Sequence, residues 1–202
     1  IGGYNSRSEP FAFIDLFAGA RGARPTCDGP EGLTHPGSNN SNTPIELAEI
    51  ETPVRIEQYG LIIDTGGAGK FRGSLSQVRE VRCLAEEGVL QLRSDKRRFR
   101  PYGLNAGEDG CPSLNVLNPE TDGITLPAMG VITMKKGDVI RHIMASGGGW
   151  GNPYDRDPEM VLDDVWNEKV SIHNARKHYG VVIHDRPLEI DMSATEKLRS
   201  SL

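Results

Sequence analysis

The sequence predicts an α+β fold: a β-rich mixed sheet or sandwich over about residues 44–145, followed by a small helical C-terminal part. Three observations point there. Short apolar runs recur between turn signals at a spacing of roughly 8–12 residues, the rhythm of a sandwich or curled sheet. Asp157-Pro158-Glu159 reads as a helix start, with Asp at the N-cap, Pro at the first helical position and an acid in the first turn. Gly and Pro number 24 and 13 among 202 residues, so loops are many.

Residues 4–43 carry little regular structure, although Phe11–Phe17 fits a short buried helix or strand. The stretch that follows, rich in Gly, Pro, Asn and Ser, interleaves Arg21, Arg24, Cys27, Asp28 and His35. A loop of that length inside a compact domain is functional or disordered. Its arginines and acid suit either a bound carboxylate or a loop that ties itself down. Ile45–Ile50 can form a short helix, and Val54, Ile56, Tyr59, Leu61 and Ile63 mark a strand. Ser76–Ala85 and Val89–Phe99 read as hairpin partners about Glu86-Glu87-Gly88. Residues 100–113 are irregular. Further strands follow, with turns at Asn118-Pro119 and Lys136-Gly137-Asp138, ending in the apolar run Val139–Ala145.

The end is helical. Asp157–Asn167 places Met160, Val161, Val165 and Trp166 on or near one face. Ser171 caps a second helix, Ile172–Tyr179, which Gly180 closes. Val181–His184 is a short strand, and Ser193 with Glu196 suggests a capping box for a last helix to Leu202. His173 and His178, five apart, read as surface or core residues. The expected units are a loop-rich segment 1–43, a β-rich domain 44–156 and a helical segment 157–202.

A net charge of −5 argues against nucleic acid as a partner. Lys96–Arg100 is the one basic cluster, expected at a strand end or an interface. No apolar run approaches the ~18 residues of a membrane span, and no signal peptide opens the chain. Cys27, Cys83 and Cys111 are scattered without CxxC spacing, which suggests reduced thiols and a cytoplasmic protein. Cys27, Asp28 and His35 make a poor metal set, of mixed softness and without a second cluster. Ile1 opens what reads as running sequence, as expected of a fragment or of one half of a nicked chain.

Two glycine-rich turns carry the chemistry. Gly147, Gly148 and Gly149 follow the Val139–Ala145 run. Bare backbone there suits N–H donors aimed at a carbonyl oxygen or anion, or else a tight turn needing positive φ. The second turn, Asp64–Gly73, superficially resembles a nucleotide loop. It has Asp64 where Walker A needs Gly, Phe71 where it needs Ser or Thr, and Arg72 where a dinucleotide fingerprint needs its third Gly. Lys70 and Arg72 there suit a polar or anionic intermediate.

The stretches SNTPIELAEIETPVRIEQYGL, DTGGAGKFRG, RPYGLNAG and SGGGWGNPYDRDPEMVLDDVWNEKVSIHNARKHYGVVI resemble the hydantoinase B/oxoprolinase family in the expected order. The resemblance covers nearly all of residues 18–185 and corresponds to the C-terminal third of the B-type subunit. It implies a partner, the A-type subunit, that binds ATP and Mg2+ and phosphorylates the substrate's carbonyl oxygen. The B part then completes ring opening of a hydantoin, 5-oxoproline or lactam. Related complexes instead carboxylate acetone or acetophenone, and a non-catalytic scaffold is a third possibility. The family's divalent metal, zinc or manganese, belongs to the N-terminal part of the B-type subunit, outside these residues, and none is expected on this chain alone. The matching positions include Asn42, Thr43, Pro44, Glu46, Asp64, Gly66, Gly73, Gly151 and Pro153. Among them the candidates for contact with a small-molecule substrate or intermediate are Arg24, Asp28, Gly67, Gly69, Arg72, Gly147, Gly148 and Gly149. Ser74–Gln77 and Asn105-Ala106 depart from the pattern, and no catalytic residue follows from it.

Overall fold

The computed structural model describes residues 1–16, 20–33, 37 and 41–201. Phe17, His35 and Leu202, which figure in the expectations above, lie outside them. Two antiparallel sheets face one another. The smaller has the order β2-β1-β5-β8, from β1 (Gly2–Tyr4), β2 (Pro10–Ala12), β5 (Glu87–Arg93) and β8 (Met129–Lys135). The larger has the order β3-β4-β9-β6-β7, from β3 (Val54–Ile62), β4 (Ser76–Cys83), β6 (Leu114–Leu117), β7 (Ile124–Thr125) and β9 (Val139–Ile143). Of the two arrangements expected, the sandwich is the one that forms. Val54, Val81, Cys83 and Ile140 meet Phe13, Leu90 and Met134 in one buried core.

One expected pairing does not form. β4 and β5 are not a hairpin: β4 pairs with β3 and β9, while β5 pairs with β1 and β8. The short link between them crosses from one sheet to the other. Both strands carry an apolar phase, and each can bury it only by facing the other across the core. The inner phase of β3 also breaks, from Val54 and Ile56 to Tyr59 and Leu61, where the register shifts between Ile56 and Gln58. That β-bulge keeps Tyr59 on the inner side although the count from Ile56 is odd. Within the loop-rich segment 1–43, β1 and β2 join β5 and β8 in the smaller sheet.

Helix α1 spans Ile45–Glu51 and buries Ala48 beneath β3. The C-terminal part has its own core of Val161, Val170, Ala175, Tyr179, Val181 and Ile183, closed against Ala68. Helix α2 (Pro158–Trp166) starts where expected, the Asp157 carboxylate accepting from the Glu159 N–H. In α3 (Ile172–Tyr179) the Ser171 hydroxyl caps Asn174, and Gly180 ends the helix at φ 62°. β10 (Ile183–Asp185) and β11 (Leu188–Ile190) form a small ribbon. Helix α4 (Met192–Arg199) corrects the expected capping box. Its N-cap is Asp191, whose carboxylate accepts from the Ala194 N–H, so the helix starts before Ser193. No described helix is long and apolar enough to cross a membrane.

Candidate functional site

The glycine turns lie together. A Cβ on Gly67, Gly73, Gly147, Gly148 or Gly149 would sit closer than 3.0 Å to backbone of a neighbouring segment. For Gly73 that backbone is Gly147 and Gly148; for Gly149 it is Gly67 and Ala68; for Gly147 it is Arg21 and Gly22. These glycines pack main chain on main chain, and none of the five has a positive φ, whereas Gly151 does, at 77°. Close approach is therefore what requires them.

Their donors are largely consumed. The N–H groups of Gly67, Gly147 and Gly149 donate to the carbonyls of Gly147, Ser74 and Glu108, each at 2.9 Å. Gly69 and Gly148 are buried and make no such backbone bond among the described residues. The expected bank of free donors thus reduces to these two.

Arg72 also differs from its expected role. It is buried, with Nε 3.3 Å from Asp164 and Nη1 2.8 Å from both Glu31 and the Gly73 carbonyl. Asp28 accepts two 2.7 Å bonds from Arg156 and one from the Arg72 N–H. Asp164 completes the cluster with a 2.7 Å bond from Arg156. Burial disfavours the Asp28 carboxylate, but the Arg156 bonds and charge outweigh it and hold the group below its ordinary range. Burial likewise opposes Arg72, and the charges of Asp164 and Glu31 reverse the effect, raising it. Two cations and three acids share this pocket of the protein, a structural weld between the 28–31 loop, the glycine turn and α2. Asp28 orders its loop through Arg156 rather than through Arg21 or Arg24. Arg24 closes a tight turn with Cys27 and leaves its side chain exposed. The exposed cation of the second glycine turn is Lys70.

A cleft of about 660 Å³ opens beside Gly147, between Asp15, Ala20 and Gly22 on one side and Arg93–Lys96 on the other. His142 lines it and belongs to a row of polar side chains that sequence reasoning missed. Tyr59, Arg79, His142 and Asn115 stand opposite one another on β3, β4, β9 and β6, so all four share the inner face. The Arg79 guanidinium stacks 3.9 Å from the Tyr59 ring centre and pairs with Asp15. His142 Nδ1 lies 2.6 Å from Asn115 Oδ1, and Asn115 Nδ2 donates to Ser94 Oγ at 2.9 Å and the Pro127 carbonyl at 3.1 Å. Burial, with the Arg97 charge behind it, pushes the His142 imidazole down to about 4, so it is neutral near pH 7. One inner row is apolar, Ile56, Val81, Ile140 and Leu117, and the next is this one. The signal was a charged residue two positions from a buried Val on one strand phase.

Among the described residues no group of three or more His, Cys, Asp or Glu could hold a metal ion. Cys27, Cys83 and Cys111 are all free thiols.

Residues 1–153 match the hydantoinase B/oxoprolinase family. A putative D-/L-hydantoinase B-type subunit from Pseudomonas sp. is 33% identical over 197 residues, covering 96% of this chain and 33% of the relative. The crystal structure of the ATP-dependent caprolactamase from Pseudomonas jessenii superposes with a TM-score of 0.75 at 28% identity, over 91% of this chain and 33% of that one. A nucleotide-free acetone carboxylase structure shares the fold, with a TM-score of 0.74 at 20% identity over 99% of this chain and 32% of that one. The chain spans about a third of the length of these relatives. The 202 residues belong to the hydantoinase B/oxoprolinase family.

Proposed function

We propose that this chain is part of the B-type subunit of an ATP-dependent cyclic-amide hydrolase, opening a hydantoin, 5-oxoproline or lactam ring. The observation that carries the reading is the 33% identity over 197 residues to a relative described as the B-type component of a putative hydantoinase. In this reading the A-type subunit holds ATP and Mg2+, and zinc or manganese belongs to the remainder of the B-type subunit. The chain itself contributes the cleft beside Gly147. A neutral His142 held by Asn115 suits a polar, uncharged contact to substrate there, with Arg93 and Lys96 at the rim. Gly69 and Gly148 retain N–H groups suited to a carbonyl oxygen. The compartment is cytoplasmic and the chain alone is inactive.

The test is phosphate release by the complete B-type subunit co-purified with its A-type partner. Cyclic amides are offered in one series, and acetone or acetophenone with bicarbonate in another. ATP turnover coupled to ring opening is the expected result; turnover confined to a ketone and bicarbonate overturns it in favour of a carboxylase. A scaffold role is the second reading, favoured by the consumed N–H groups of Gly67, Gly147 and Gly149 and the buried Arg72. Full turnover in His142→Gln, Arg93→Ala and Lys96→Ala variants of the complex would support it.

A further inference from the structure

β5 is paired on both sides only over its first part. β8 accompanies it from Glu87 to Arg93, whereas β1 reaches only Gly88 and Val89 before the described chain starts at Ile1. In an antiparallel ladder, alternate residues point both backbone groups to the same neighbour. Ile1 and Phe13 exchange both bonds, at 2.8 Å each, so Ile1 turns toward β2 and Gly2 toward β5. On β5, the Ser94 N–H donates to the Ala128 carbonyl on the β8 side at 2.8 Å. Even-numbered residues of β5 therefore face β8, and the N–H and C=O groups of Gln91 and Arg93 face away from it. No backbone partner meets them among the described residues.

What they face is a slot of about 360 Å³. Leu90–Ser94 form one wall, Phe13–Leu16 the other, Ile1 closes one end and His142 lies at the floor. From Ile1 to the level of Arg93 it has room for three extended residues, about 10 Å at 3.3 Å per residue. Unpaired strand edges inside a sheet are either covered or completed by another strand.

We propose that the slot receives an extended segment of the full-length B-type subunit that continues β1 upstream of Ile1, making a central strand between β5 and the Asp15 region. The relatives are about three times as long as the matched stretch, which supplies such a segment. Counting back from Ile1, the first residue pairs with Gln91 and points outward with it. The second pairs with Leu92 and points inward, over the His142 and Arg79 row. The third pairs with Arg93. Ile1 itself fits this placement: its nitrogen is a ladder donor to the Phe13 carbonyl at 2.8 Å. The inward residue closes the sheet side of the 660 Å³ cleft, so the polar row acquires one wall from upstream polypeptide. The inference holds whichever reaction the assembled enzyme performs.

Amide exchange in the complete B-type subunit tests it. The amides of Gln91 and Arg93 are expected to exchange within about tenfold of those of Leu90 and Leu92. Exchange at the rate of exposed loop amides overturns the proposal. A second measurement pairs Gln91→Cys with a cysteine at the residue directly before Ile1, whose Cα atoms would lie about 5.5 Å apart. Oxidation is expected to join them, read as a linked peptide by mass spectrometry. A folded protein in which the two never join, while Leu90, Leu92 and Gln91 exchange unequally, overturns the proposal as well.

Discussion

Asp28 and Arg156 meet through two parallel 2.7 Å hydrogen bonds, although 128 residues of chain separate them. A fork of this kind fixes orientation as well as distance. Asp164 then links Arg156 to Arg72, so the loop, the glycine turn and α2 share one charged junction.

Removing Asp164 leaves two buried guanidinium groups short of a counter-charge. Asp164→Ala is expected to cost about 3–5 kcal/mol, and Arg72→Ala a similar amount. The double variant should lose clearly less than the sum, because each change removes the same interaction. Denaturant unfolding of the four proteins gives the coupling; simple additivity would show that the junction is not a unit. Asp28 adds an acid-labile part. Its folded value lies below the ordinary 3.8, so its contribution is complete above that pH and disappears as pH falls below it.

Gly147→Ala places a methyl group against the Arg21 backbone, which has nowhere to go. The expected result is loss of soluble folded protein, a cost above about 3 kcal/mol. Gly60→Ala is the control, since nothing lies within 4 Å of its Cβ position, and its effect should stay within about 0.5 kcal/mol. Expression yield and thermal midpoint distinguish the two. A stable Gly147→Ala protein would contradict main-chain packing as the reason for this glycine.

His142 makes the fold sensitive to moderate acid. Its folded value near 4 is below the 6.5 of the unfolded chain, so the unfolded state holds more protons between those limits. Stability is complete above pH 6.5 and falls by about 3 kcal/mol on the way to pH 4. Asn115, Arg97, Arg79, Asp15 and Arg93 are among the groups around the ring. His142→Gln should flatten the pH dependence of unfolding, and an NMR titration of the ring should show no protonation above pH 5. A ring that titrates near 6.5 would refute the burial argument.

Helix α4 offers a test of where its start lies. Asp191→Ala is expected to lose about 1 kcal/mol, and Ser193→Ala close to none, because only the Asp191 carboxylate bonds an orphan N–H of the first turn. Equal losses in thermal unfolding would return the cap to Ser193.

The helices are legible in the sequence because their signals are local: Asp157-Pro158, Ser171 and Gly180 each act within a few residues. Sheet partnership is not local. The link after Cys83 is short enough for a hairpin, and only the shared core of Val81, Leu90 and Met134 decides that it crosses between sheets. The polar row stays hidden for a related reason. Arg79 shares the inward phase of Val81, and nothing short of the neighbouring strands tells which phase is inward or that Asp15 meets Arg79. The two glycine turns are plain in the sequence, but their purpose depends on what backbone faces them.

The crowding around Gly67, Gly73 and Gly147–Gly149 bears on how such sequences are interpreted. A signature enforced by steric exclusion identifies an architecture, and proteins can share it letter for letter while handling different chemistry. On the proposed function, discrimination between a lactam, a hydantoin and a ketone falls to side chains that line the cleft, such as Arg93 and His142, rather than to the glycine signature.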